Sequence, residues 1–66
     1  MLIYLVQLGR EDFLTADLLV DAMKIAVSGY KYGWEVDVIN TTTGEVMVSL
    51  RDGVDPYFST AIHEVL

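Results

Sequence analysis

Two stretches of strictly alternating residues, 34–40 (WEVDVIN) and 45–51 (EVMVSLR), flank the turn TTTG at 41–44, and no other feature of the chain constrains its fold as strongly. Period-two alternation reads as a pair of pleated strands, and Gly44 can take the left-handed bulge position that reverses a chain over so few residues. With Gly44 as the bulge, Thr41 faces Glu45, and counting back pairs Val38 with Val48, Val36 with Leu50 and Glu35 with Arg51. One face then carries Trp34, Val36, Val38, Val46, Val48 and Leu50, and the other carries Glu35, Asp37, Ile39, Glu45, Met47, Ser49 and Arg51. The second face is mixed: Ile39 beside Met47 leaves an apolar strip on the outside of the sheet, as an interface would.

Upstream, LIYLVQL at 2–8 is apolar at both alternating sets of positions and reads as a strand covered on both faces, not a bare edge. GREDF at 9–13 interrupts the pattern. Thr15 then suits an N-cap, with Asp17 in the first turn and Leu14 and Leu19 placed as a hydrophobic staple, which predicts a helix over roughly 16–30. Asp17, Asp21, Lys24, Ser28 and Lys31 fall three or four apart on one narrow polar stripe, and the rest of the helix is apolar or small. That apolar surface is wider than one small sheet covers, so a second covering element is expected. Asp55 and Pro56 read as the start of a second helix, with Tyr57, Phe58, Ala61, Ile62, Val65 and Leu66 at helical spacing. The expected fold is thus α+β, a two-layer β-α-β-β-α sandwich with a three-stranded sheet, both helices on one face and a right-handed first crossover.

A single domain of 66 residues buries only about 60% of the surface its unfolded chain exposes. An apolar content of 53%, a mean hydropathy of +0.41 and no cysteine leave self-association as the common remedy, so a homo-oligomer, with a dimer favoured, is expected. Four basic against ten acidic residues give a formal charge of −6, which argues against direct nucleic-acid binding and fits a basic partner surface or no charged partner. The acids either imitate phosphates toward a basic or nucleic-acid-binding host protein or serve ordinary solvation, the stronger reading of the two. The longest apolar run, 1–6, is far short of the ~20 residues that span a bilayer, and no basic segment precedes it, so a soluble cytoplasmic chain with no membrane role is expected.

Chemical motifs are sparse. His63 has no ligand partners at i±3 or i±4 and no positioned nucleophile, and Asn40-Thr41-Thr42 matches a glycosylation acceptor without a secretory context. No phosphate-binding glycine loop occurs, and the turn at 52–55 lacks the further oxygen ligands of a calcium loop. No catalytic residue, metal or cofactor is expected. GYKYGW at 29–34 holds three rings around a lysine: Gly29 and Gly33 are expected to mark where a helix stops and a strand begins, Tyr30 and Trp34 to face the core, and Lys31 and Tyr32 to form an exposed corner.

The opening strand, Gly9-Arg10 loop and helix resemble the layout of the tautomerase family, whose catalytic base is an N-terminal proline helped by an arginine. Met1 and Leu2 supply no such proline, and Arg10 alone cannot carry that chemistry. Residues 22–48, an alanine-rich helix, then GYKYGWEVDVIN, then TTGEVMV, resemble short proteins encoded by bacteriophages. That resemblance implies a non-enzymatic accessory factor that binds and inhibits a host protein or sequesters a host signal molecule. The expected function is therefore an acidic protein-interaction module whose binding residues are Lys31, Tyr32, Glu35, Asp37, Ile39, Met47 and Arg51. One alternative is a nucleotide binder, with Tyr30, Tyr32 or Trp34 stacking on a base and Lys31 or Arg51 meeting a phosphate. The other is a structural or assembly subunit.

Overall fold

The computed structural model describes residues 3–9 and 12–60. Five strands and one helix follow in the order β1 (Tyr4–Leu8), β2 (Asp12–Ala16), α1 (Leu19–Lys31), β3 (Val36–Asn40), β4 (Val46–Leu50) and β5 (Tyr57–Phe58). The strands form one sheet, ordered β2-β1-β3-β4-β5, with every neighbouring pair antiparallel, and α1 packs on one face. The fold is α+β as expected, but the three-stranded sheet carrying two helices on one face is not what forms.

The first departure is at β2. Thr15 does not cap a helix; residues 12–16 turn back beside β1, pairing Leu8 with Asp12 and Tyr4 with Ala16. Gly9, at φ +69°, opens the reversal, a conformation any other residue would find strained. One cap is worth about 1 kcal/mol, whereas five strand pairs satisfy the backbone groups along a whole side of β1. Helix α1 instead starts at Leu19 after an extended Leu18 that makes no side-chain cap, with Asp21 in its first turn. The added strand also reverses the chain, so β3 runs antiparallel to β1, and the crossover leaves from β2 rather than β1.

β1 is an internal strand, as expected, but only its helix side is sealed: Tyr4, Val6 and Leu8 are buried while Leu5 and Gln7 are half-buried. Its ladder with β3 extends past the strand ends, through Gly9 N–H to the Glu35 carbonyl (2.7 Å) and Thr41 N–H to the Ile3 carbonyl (3.1 Å). Helix α1 meets this ladder through Leu19, Ala22, Ala26 and Gly29, all buried. At Gly29 the approach is closest: a Cβ there would lie 2.6 Å from Leu8 Cδ2 and 3.2 Å from Val36 Cγ2. Gly29 is thus a helical contact point, not the helix end.

In the β3–β4 hairpin, Val36 pairs with Leu50 and Val38 with Val48, as the alternation predicts. Between Val38 and Ile39 the register slips, and Ile39 pairs with Val46, which leaves Met47 as the extra residue of a bulge. Met47 and Val48 are both buried in consequence, while Val46 is exposed. Met47 therefore belongs to the core and not to the outer strip, and Asn40 rather than Thr41 meets Glu45, its N–H donating to the Glu45 carbonyl at 2.9 Å. The turn itself is held by Asn40 Oδ1, which accepts from the Thr42 and Thr43 N–H groups at 2.9 and 3.4 Å, with Gly44 left-handed at φ +76°.

The expected C-terminal helix is overturned at its start. Pro56, which has no N–H to give a ladder, leads into the two-residue edge strand β5, whose Phe58 and Tyr57 pair with Val48 and Ser49. Ser59, buried, continues the contact by donating its N–H to the Met47 carbonyl at 2.8 Å and its hydroxyl to Glu45 Oε2 at 3.0 Å. The remaining positions assigned to that helix, 61–66 with His63, lie outside the described residues. Among the described residues no helix is long and apolar enough to cross a membrane.

The bulge inverts the stabilities that simple alternation would assign to its two neighbours. Met47→Ala should cost about 2–5 kcal/mol and Val46→Ala less than about 1 kcal/mol, compared by urea unfolding. Equal losses, or the reverse order, would show that Met47 does not fill the core.

Candidate functional site

The sheet face opposite α1 is where most of the sequence-assigned binding residues come together. Because cross-strand partners share a face, the registers set its rows. One row runs Thr15, Leu5, Ile39, Val46 across four strands, and the next runs Phe13, Gln7, Asp37, Ser49, Tyr57 across all five. Glu35 and Arg51 continue the face beyond the ends of β3 and β4. The apolar strip expected at Ile39 and Met47 is thus made by Leu5, Ile39 and Val46. Alternation could not have found Val46, since the one-residue bulge exchanges it with Met47.

Beside the strip lies a fixed polar cluster. The Arg51 guanidinium donates through Nη1 to Glu35 Oε2 (2.6 Å) and through Nη2 to Asp37 Oδ2 (3.0 Å), and the Ser49 hydroxyl donates to Asp37 Oδ1 at 2.8 Å. The Arg51 and Glu35 side chains are 42% and 60% exposed, so their pair adds only about 0.2–1 kcal/mol, but the fork orients all three charged groups and leaves one net negative charge. Arg51 is engaged by two carboxylates, so a phosphate would compete with them for its guanidinium.

Lys31 and Tyr32 stand apart, at the C-terminal end of α1. There the chain closes in a Schellman motif: Gly33 N–H donates to the Tyr30 carbonyl (2.9 Å) and Trp34 N–H to the Gly29 carbonyl (3.2 Å), with Gly33 left-handed at φ +87°. Gly33 ends the helix, as its position predicts, and the motif turns Trp34 back over the last helical turns. Trp34 is not core; it is 45% exposed. It walls an open groove of about 390 Å³ between α1 and the β1–β2 hairpin, together with Leu8, Leu14, Ile25 and Tyr32, and Lys24 stands at its rim. Tyr30 packs against the core as expected, so the three rings of GYKYGW do not form one stacking platform.

The described residues contain no group of three or more His, Cys, Asp or Glu side chains able to hold a metal ion. Of the chemistry available, the outer face offers shape, apolar contact and oriented charge, and the groove offers an apolar slot beside the β2 edge, which no described residue pairs.

Gly33→Ala tests how Trp34 is held. No atom lies within 4 Å of the added Cβ, so the cost is backbone strain alone, about 1–2 kcal/mol, accompanied by a red shift in emission from the single tryptophan as its ring leaves the groove. Unchanged emission would mean that the motif does not set the position of the ring.

Compared with protein-family models, with curated proteins and with solved structures, the chain matches none.

Proposed function

We propose that the chain is a non-enzymatic protein-interaction module that docks a basic, partly apolar surface of another protein on its uncovered sheet face. The observation that carries this reading is the bulge at Met47, which turns Val46 outward to complete the Leu5–Ile39–Val46 row beside the Arg51–Glu35–Asp37 cluster. Bulges next to functional surfaces re-aim side chains in this way. Charge selects the occupant. A face bearing net negative charge on a chain of formal charge −6 repels a second copy of itself and attracts a cationic partner.

Such a module alters its partner by occupancy, covering a basic surface that the partner needs for another ligand, which fits the inhibitory role implied by the phage-protein resemblance. Binding of this kind gains its rate from charge and its residence time from the apolar row. Glu35, Asp37, Ile39 and Arg51 remain contact residues, joined by Leu5 and Val46, whereas Met47 acts only by shaping the bulge.

Selection from a displayed peptide library should enrich sequences that combine Lys or Arg with large apolar residues, and their affinity should fall as salt is raised. Val46→Lys should weaken the selected peptides at least tenfold without lowering stability in urea. Peptides that bind wild type and Val46→Lys equally would sink the assignment to this face.

A further inference from the structure

The open edge of β2 carries an inference beyond the outer-face reading. β2 is a full five-residue strand whose second side is paired by none of the described residues, and its middle residues Phe13 and Leu14 are 53% and 48% exposed. Such an edge is a template for another strand. Among the described residues the other edge of the sheet, β5, has two residues and offers no comparable ladder.

We infer that β2 is the interface at which two copies of this chain pair edge to edge about a twofold axis through Leu14, joining their sheets into one ten-stranded sheet with both helices on the same face. Charge complementarity argues for a second copy over any other occupant. α1 begins at the Ala16 end of β2 and ends at the Gly9 end, since β1 and β3 meet it in that order. Its start bears Asp17 and Asp21, its middle and end bear Lys24 and Lys31, all four are exposed, and among the described residues none makes an ion pair. An antiparallel pair of β2 strands with Leu14 opposite Leu14 sets the acidic helix start of each copy beside the basic helix end of the other. A parallel or shifted pairing loses this match.

The same rotation completes the groove. Leu18, 58% exposed just before α1, is carried to the end where Trp34, Tyr32 and Lys24 of the other copy wall an apolar slot. Each copy thus supplies an apolar side chain that the groove of its mate lacks. Asp12 lies on β2 and Glu11 is next to it in sequence, but against Arg10, Lys24 and Lys31 they leave the Gly9 end one positive charge, to meet the two negative charges of Asp17 and Asp21, while Glu35, Asp37, Glu45, Asp52 and Asp55 all follow the helix in sequence.

The chain has no cysteine, so Leu14→Cys introduces a single thiol at the axis. Directly opposed residues of an antiparallel pair have Cα atoms about 4.5–5.5 Å apart, within reach of a disulfide. Wild type should sediment as a dimer at about 100 µM, where a Kd of about 1 µM leaves little monomer. Under mild oxidation, in which two thiols lose two electrons and two protons to added oxidised glutathione, Leu14→Cys should form a covalent dimer much faster than the control Val54→Cys. Reversing Lys31 to Asp should raise the dimer Kd at least threefold, and reversing Asp17 to Lys in that same chain should restore it. Asp17 and Lys31 are about 20 Å apart along the chain axis, so restoration must act between copies. A wild-type monomer, equal oxidation of the two cysteine variants, or failure of the double reversal to restore pairing would each overturn the proposal. Val46→Lys leaves this dimer intact, which separates its outcome from that of the outer-face reading.

Discussion

The close seating of α1 on the β1–β3 ladder is the constraint on which the rest of the structure depends. Ala22, Ala26 and Gly29 stand at helical spacing on the contact face, and their small size lets the helix backbone lie near the sheet. Tyr4, Val6, Leu8, Val36 and Val38 then fill the layer beneath it, and burying one side chain of their size contributes about 1.5–3 kcal/mol. A 13-residue helix is about 20 Å long and one helix is about 10 Å wide, so it seats on the β1–β3 ladder, and Met47, Val48 and Leu50 of β4 are buried beside that contact. Exposure is left at Val46 and Phe13 on the opposite face of the sheet, at the groove on the β2 side, and at Val20 and Val27 on the outer side of the helix.

Much of this arrangement is legible in the sequence, and the misses share a physical cause. The β3–β4 pairing, its facing valines and the ion pair of Glu35 with Arg51 follow from alternation together with the short turn: a one-residue slip would set valines against the polar face, and the turn length selects among the remaining registers. The polar stripe of α1 is likewise visible, and Asp17, Asp21, Lys24, Ser28 and Lys31 are all exposed. β2 was hidden because DFLTA has neither clear alternation nor length, and its stability comes from a partner strand that local reading does not see. The bulge was hidden for a related reason: Val46, Met47 and Val48 are all apolar, so hydropathy cannot tell which of the three is the extra residue.

GYKYGW shows the same limit at the scale of single rings. Its glycines are punctuation, but of two kinds: Gly33 is needed for its left-handed backbone and Gly29 for the absence of a side chain against Leu8 and Val36. Composition treats them alike, and only the packing separates them. Trp34 follows from Gly33, since the residue after a left-handed helix stop is returned toward the helix it has just left. Proximity in sequence to Val36 and Val38 therefore says less about the place of this ring than the glycine before it does.

The two edges of the sheet differ in length, and that difference sets a valence. A sheet with two full-length open edges can add copies at both and grow into a fibre, as a monomer with two reactive ends gives a polymer. Among the described residues β5 has two residues behind Pro56, and β2 alone presents a complete open edge. On the pairing inferred above, growth by strand addition stops after one step, which would leave a small and unusually apolar chain one adhesive side without making it an aggregation seed.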